Sequence, residues 1–489
     1  MKSVQAYAAY VPQRRLDRTA VLQAHQWHNG ALAGLAKGYR SIAAWDEDVV
    51  TMAVAAAKQC NSEALSGVER LFLGSTSFPF ADRQNSAVVA DALELTPEVS
   101  ALDVAGSQRA GSGALMAALS TTGRVLALGS EKRPCQPGST LEMTEGDGAA
   151  ALLVADSAGL ADYIGGLSRT HEFVDHHRGS DAAFDTQWED RWLRDEGYMT
   201  LLHDAIRATL DTHQISAADV AHLCLPIDNA RTAAGVARAL SFSPVALRDP
   251  LQRTLGNCGA AHPLMMLCDA LDHAAPGEVI LVAGFGQGCD VMLFRATDAL
   301  PKYRLARAKG VSLADQLAAG RPERNYTRYL TLAGHLKVDR GLRAEVDKST
   351  SLSAHFRSHE MAQQFRGGRC SECGTVQFPK TPICVNPACR ARDSQGAESF
   401  ADKQGALMSF TADALTYTPH PPNYYGMVQF KGGGRLMMDL TGVEFVEDLS
   451  VGMTMKMAFR VKDYDPTRGF RRYFWKAMPL HAAQSAEET

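Results

Sequence analysis

The chain of 489 residues has no run of about 18 uncharged apolar residues, so no helix of it is expected to cross a membrane. It has no excess of either charge. Fifty Lys and Arg against 54 Asp and Glu leave a net charge of −4, which gives nucleic acid or an anionic membrane surface no electrostatic hold. The first residues, MKSVQAYAAYVPQRRLD, lack the apolar core of a signal peptide, and a cytoplasmic location is the expectation. A disulfide framework is missing too. Four of the ten cysteines crowd into 370–389 and six are scattered singly through apolar stretches, the pattern of a reducing compartment with one metal site.

Residues 1–298 alternate helical patterns with short apolar strands, RLFLGSTS, RVLALGSE, AALLVADS, HLCLPID and EVILVAGFG. Such alternation predicts α/β layers around a buried sheet. A weak internal repeat runs through it. DVAGSQRAGSGALMAAL leads to RVLALGSE in the first half, and RTLGNCGAAHPLMMLCDAL leads to VILVAGFG in the second. Aligning Leu115-Met116 with Leu264-Met265 sets Gln108 opposite Asn257, each at a helix start. Two facing helix N-termini, with loop amides such as that of Gly286 in GFGQG, could hold developing negative charge. Residues 299–365 turn polar and read as a helical connector wrapping the first domain. Residues 366–400 form a cysteine module, and 401–480 carry short alternating strands broken by Gly and Pro, a small antiparallel barrel pattern. The tail QSAEET is expected to fray.

In the cysteine module, CSECGTVQFPKTPICVNPAC places Cys370, Cys373, Cys384 and Cys389 in a C-x2-C-x10-C-x4-C spacing. Two close thiolate pairs joined by a hairpin can surround one ion tetrahedrally and leave no open position. Zinc fits this donor set, and iron of the rubredoxin kind shares the geometry. The role predicted for zinc is structural.

With these parts placed, residues 1–298 resemble the thiolase superfamily, in particular its hydroxymethylglutaryl-CoA synthase branch. The resemblance is carried by GYRSIAAWDEDVVTMAVAAA, GSTSFPFADR, GSQRAGSGAL, LEMTEGDGAAALLV, NARTAAGVARALSF and GNCGAAHPLM. Residues from about 365 to 480 resemble the zinc-ribbon/OB-fold proteins that accompany thiolase-like chains. The resemblance implies a duplicated, layered α-β-α-β-α fold followed by a zinc ribbon and an OB-type barrel. It also implies a homodimer through the thiolase-like part, a partner enzyme of the same pathway, and coenzyme A as part of the substrate. The departures carry more information. The general acid/base Glu of that branch is replaced by Thr76, the acyl-accepting Cys by Gln108, and the His falls at about Pro226, a short shift from Asp228. Asn257 stands where the related ketoacyl synthases have the Asn that bonds the thioester carbonyl.

A carboxamide is not a nucleophile, so the acyl-enzyme route is closed at position 108. A thioester enolate is still reachable, because donors aimed at the oxygen suffice to stabilise it. Carbon–carbon cleavage of retro-aldol type in a degradative pathway is therefore the leading expectation. Acyl transfer or retro-Claisen cleavage, and a non-catalytic acyl-CoA scaffold, are the alternatives. Asn257 and Gln108 are the expected oxyanion donors, and Asp228, Thr76 and His262 the candidate bases. Gly286, Arg109 and Arg231 are candidates to meet coenzyme A, and Cys258 is a candidate displaced nucleophile. The segment HEFVDHHRGSDAAFDTQWEDRWLRDEGY, dense in His, Asp, Trp and Arg, is read as a substrate-shaping or dimer-contact insertion. Tyr424, Tyr425, Phe470 and Trp475 in the barrel suit a docking face or tunnel lid better than nucleic-acid stacking.

Overall fold

A computed structural model describes residues 2–60, 62–307, 310–341 and 351–480. The chain divides into two compact units, one made of residues 1–44, 48–90 and 95–335, the other of 45–47, 91–94 and 336–489.

The first unit is built on a nine-stranded sheet that shows the duplication in its topology. Outward from Ser3–Tyr10 come Gly148–Ala155 and Val125–Glu131, each antiparallel to its neighbour, then Arg70–Gly74 and Ser100–Val104, both parallel. Outward from Ala161–Thr170 come Gly288–Ala296 and Val279–Phe285, again antiparallel, then Val220–Cys224, parallel. A lone parallel bridge, Leu223 to Leu247, takes the place of a fifth strand. Within the sheet, the strands of the two halves meet in the short pairing of Ser3 and Val4 with Asp162 and Ala161.

Every residue of Val125–Glu131, Gly148–Ala155 and Val279–Phe285 is buried, as near-continuous apolar runs covered on both faces should be. The strand period of two sorts their side chains. Ile280 and Val282 join one core cluster with Leu152, Val154 and the helices Ala110–Ser120 and His262–His273. Val279, Leu281 and Ala283 join another with Ile206, Leu210 and Val236. The two repeat-related helices thus share one cluster with strands of both halves, which makes them the inner layer of the expected sandwich.

The helix starts meet closely. A Cβ at Gly111 would lie 1.9 Å from the carbonyl oxygen of Ala260, so only glycine permits the approach. Gly256 adopts φ +84° beside the backbone of Glu145, where any side chain would collide.

The connector is not wholly helical. Helices Ala299–Ala306, Leu313–Ala318, Tyr326–Leu332, Leu352–Arg357 and His359–Ala362 are present, but Arg321–Glu323 is a strand paired in parallel with Arg14–Asp17. Its buried Glu323 carboxylate is ion-paired at 2.8 Å with Arg14 and at 2.7 Å with Arg328, which fixes the segment in extended form. Connector residues 308–309 and 342–350, and the tail QSAEET, lie outside the described residues.

In the second unit, Arg366–Cys370, Val376–Gln377 and Gln395–Ser399 form the ribbon sheet. The strands Arg435–Asp439, Asn423–Phe430, Gly405–Asp413, Thr454–Asp465 and Phe470–Pro479 form an antiparallel sheet in that order. A bridge from Leu440 to Ala477 brings its two ends together in the manner of an OB barrel. Trp475 is fully buried and donates through Nε1 to the Gln363 carbonyl at 2.6 Å, and Tyr424 is buried as well, so both serve the core rather than a stacking surface.

The close approach at the helix starts generates a direct expectation. Gly111→Ala should destabilise the first unit by about 1–3 kcal/mol through overpacking. Thermal unfolding followed by circular dichroism checks it, and an unchanged melting curve would contradict the packing described.

Candidate active site

One cavity in the first unit gathers Gln108, Arg133, Glu145, His176, Asp228 and Asn257. Its free volume, about 30 Å³, gives room for one or two waters. Gln108 lies just before the helix Ala110–Ser120, and Asn257 just before the 3-10 turn that leads into His262–His273. The repeat that paired these two residues in sequence therefore brings both to one wall. Pro226 lines the cavity as well, so two of the three positions at which the resemblance placed catalytic groups face it.

Arg133, just beyond the Val125–Glu131 strand, is the central cation. Its side chain is fully buried, with Nε 3.4 Å from Glu145 Oε2 and Nη2 2.9 Å from Asp185 Oδ2. Burial acts to lower its pKa, but Glu145, Asp185 and Glu131 outweigh that and raise it, so the guanidinium stays charged. Gln108, with its amide oxygen turned toward these donors, accepts from Arg133 Nη1 at 2.9 Å, Arg133 Nη2 at 3.1 Å and His176 Nδ1 at 3.2 Å. That orientation leaves the Nε2 hydrogens to donate.

Two carboxyls face this cation. Burial pushes Glu145 up to about 8, with the charge of Asp228 adding to the effect against the pull of Arg133. Its buried Oε2 makes no hydrogen bond among the described residues, so the ionised form is poorly solvated. Burial also raises Asp228, to about 6, against the hydrogen bond from Asn257 Nδ2 at 2.8 Å and the charges of Arg133 and Arg18. Asn257 also accepts from the Gly259 amide at 2.8 Å. The expectation that Asn257 is free to serve a thioester oxygen is thus corrected in part: one of its two amide hydrogens is spent on Asp228.

Other predicted residues lie elsewhere. Thr76 is not on the cavity wall. Its amide and hydroxyl donate to the buried Glu131 carboxylate at 3.1 and 3.0 Å, which makes it a structural donor rather than a base. His262 is buried, accepts at Nδ1 from the Cys258 amide and donates from Nε2 to the Pro250 carbonyl at 3.1 Å. Burial lowers its pKa to about 4, so it is a neutral packing residue and not the base. Arg109 spends its guanidinium on Asp290 at 2.9 Å and on the carbonyls of Gly286 and Gln287, which takes it from a phosphate-binding role. The Gly286 amide donates to Gly288 at 3.0 Å and is not spare for an oxyanion. Arg231 is exposed at the start of Ala230–Ala239 and does not line the cavity.

Glu145, Arg133, His176 and Asp175 were missed by sequence reasoning. Glu145 stood inside a segment already quoted for its resemblance, but nothing in the spacing of Arg133 and Glu145 signals a pair. The dense segment 171–198 was the one usable signal, and it supplies Asp175, His176 and Tyr198 to the wall.

In the second unit the four predicted cysteines cluster with their sulfurs all within 4.8 Å. Cys370 and Cys389 Sγ lie 3.9 Å apart, and Cys373 and Cys384 3.6 Å apart. Bonds of about 2.3 Å to a tetrahedral zinc require sulfurs about 3.8 Å apart, so the donor set fits one zinc. Among the described residues no other such cluster occurs.

Purified protein should carry one zinc per chain, and Cys373→Ser should lose it together with the ribbon's fold. Metal analysis with near-ultraviolet circular dichroism checks this. Arg133→Met should cost about 3–5 kcal/mol, because it strands buried carboxylates without their cation. Chemical denaturation measures that loss, and a native-like stability would show that Arg133 is not the hub described.

Comparison with known proteins agrees with this architecture. Residues 210–293 match the model of the 3-oxoacyl-[acyl-carrier-protein] synthase III C terminal. Residues 357–394 match the ChsH2 rubredoxin-like zinc ribbon domain, and 399–460 the ChsH2 C-terminal OB-fold domain. A hydroxymethylglutaryl-CoA synthase of Aeropyrum pernix is 26% identical over 313 residues, 62% of this chain and 86% of that protein. Among solved structures, an HMG-CoA synthase complexed with CoA superposes with a TM-score of 0.57 at 15% identity, covering 81% of this chain and 99% of the other. The 3-oxoacyl-[acyl-carrier-protein] synthase III of Aquifex aeolicus gives 0.53 at 19% identity, covering 60% and 100%. The first unit thus has the fold of synthase III and HMG-CoA synthase and is similar in sequence to hydroxymethylglutaryl-CoA synthases, and the residues after it match the ChsH2 zinc ribbon and OB-fold models.

Proposed function

We propose that the protein is an acyl-CoA enzyme that breaks a carbon–carbon bond in a β-hydroxyacyl thioester through an enolate, releasing an aldehyde or ketone. The relation to hydroxymethylglutaryl-CoA synthases and to synthase III supports carbon–carbon chemistry on acyl-CoA as the class. The observation that favours cleavage without an acyl-enzyme is the cavity itself. The position assigned to the acceptor thiol holds Gln108, whose oxygen is clamped by Arg133, and two carboxyls of raised pKa stand beside it. Cys258 does not substitute as nucleophile, because it is fully buried and burial drives its thiol pKa far up.

In this reading Gln108 Nε2 donates to the thioester oxygen as negative charge builds there, an effect worth about 100- to 1000-fold per donor. Glu145 holds its proton at neutral pH and delivers it to the α-carbon of the enolate. Asp228, of lower pKa, is the ionised member of the pair, and the proton it takes up in turnover is relayed to Glu145 once Glu145 has given its own to the α-carbon. Two neighbouring carboxyls whose pKa values are pushed apart suit such an acid–base division. Zinc, when bound to Cys370, Cys373, Cys384 and Cys389, supplies cross-linking of the ribbon and no catalytic step.

Incubation of the full chain with β-hydroxyacyl-CoA and β-ketoacyl-CoA panels, read by mass spectrometry, tests the proposal. An aldehyde or ketone with a shortened acyl-CoA is expected. A new thioester formed from a β-ketoacyl-CoA and CoA would instead establish transfer, and binding without turnover a scaffold. The cleavage rate should fall as pH rises through about 8, because Glu145 then loses the proton it must donate. Glu145→Gln should lower kcat by about 100- to 10,000-fold with little change in KM. A variant that cleaves at the normal rate would remove Glu145 from the mechanism.

A further inference from the structure

The lyase reading leaves the β-hydroxyl proton without an acceptor, and the same cavity carries a group that the carboxyl pair does not use. His176 lines the cavity with its side chain 12% exposed. Its Nδ1 lies 2.8 Å from Oδ2 of the buried Asp175. An ionised carboxylate only accepts, so Nδ1 carries the hydrogen and Nε2 the lone pair. The ring's hydrogen bonds among the described residues are both at Nδ1, to Asp175 and to the Gln108 oxygen.

The ring is also fixed from behind. His176 and His177 pair with Gln187 and Thr186 in a short antiparallel ladder. Asp185, next to that ladder, is ion-paired with Arg133 and with Arg178. The base candidate, the group that orients it and the oxyanion donor Gln108 are therefore held in one connected frame. Asp228 suits the hydroxyl proton less well. Its Oδ1 is occupied by Asn257, and its charge acts on Glu145, which serves the α-carbon.

We infer that His176, oriented by Asp175, is the catalytic base that takes the β-hydroxyl proton. This inference rests on the lyase reading. Nε2 accepts the proton, and the O–H electron pair becomes the second bond of the new carbonyl. The Cα–Cβ bond breaks, and its electrons form the thioester enolate. Glu145 protonates the α-carbon, and the imidazolium returns its proton to the carboxyl pair. One β-hydroxyacyl thioester gives one aldehyde or ketone and one shorter acyl thioester, with no other reactant. The imidazolium formed on the way is stabilised by Asp175, as in other His–carboxylate pairs.

The test uses the zinc-loaded full chain with 3-hydroxy-3-phenylpropanoyl-CoA, whose cleavage releases benzaldehyde and acetyl-CoA. A second assay follows deuterium exchange into the α-carbon of acetyl-CoA in D2O, which needs the enolate half of the site but no hydroxyl base. His176→Ala should cut benzaldehyde release by about 100-fold or more and leave deuterium exchange within about threefold. Asp175→Asn, which preserves the shape of the pair, should cut release by about tenfold or more and carries the test if His176→Ala fails to fold. His177→Ala, at the exposed neighbour, should change neither. Release at near the normal rate in the His176 and Asp175 variants overturns the inference, as does a parallel loss of exchange and release. A wild-type protein that exchanges deuterium yet cleaves no β-hydroxyacyl-CoA overturns the lyase reading itself, and the base role with it.

Discussion

The site depends on one buried cation. Arg133 has no exposure to water, and a guanidinium without solvent is tolerable only when surrounding groups carry compensating charge and hydrogen-bond capacity. Asp185 provides the charge, Gln108 accepts its hydrogen bonds and Glu145 lies 3.4 Å from its Nε, and the three come from separate stretches of the chain. Each of those groups is in turn held in a definite place by the arginine. The planar fork of donors turns the Gln108 oxygen inward, keeps Glu145 beside the cavity and pins the segment that carries His176.

That arrangement is possible because the duplicated halves bring two helix starts into near contact. Gly111 against Ala260, and Gly256 against the Glu145 backbone, remove the side chains that would hold the segments apart. The Asn257 amide donates to the Thr144 carbonyl at 2.9 Å and the Gly146 amide to the Asn257 carbonyl at 2.9 Å, so the loop bearing Glu145 is stitched to the loop bearing Asn257. Packing of the repeat thus sets the distance at which the carboxyls influence each other. Their raised pKa values follow first from burial and, for Glu145, also from the nearby charge of Asp228, not from any property of Glu or Asp alone.

On the function proposed above, a frame with Gln108 at the position assigned to the nucleophile keeps the electrostatic half of the chemistry. Donors aimed at a thioester oxygen stabilise an enolate whether or not an acyl-enzyme forms. What changes is the proton traffic. The carboxyl pair and the His176–Asp175 pair lie on one cavity, so acid and base functions can be divided between them.

The sequence by itself determined the parts whose information is local. Period-two and helical patterns, the repeat around Gln108 and Asn257, and the four-cysteine spacing each lie within a short window, where backbone geometry limits what those residues can form. Zinc-ligand geometry in particular is written in loop lengths, so Cys370, Cys373, Cys384 and Cys389 were legible without a fold. Thr76, His262 and Arg109 looked reactive by residue type and position. Only tertiary structure showed that their polar atoms are already spent on Glu131, on Pro250 and Cys258, and on Asp290. The same holds in reverse for Glu145 and His176, ordinary residues in their own segments that become an acid and a base candidate through burial and through partners distant in sequence. Hydrogen-bond commitment and desolvation are sums over everything that surrounds an atom in space, and one segment read alone contains only a small part of that sum.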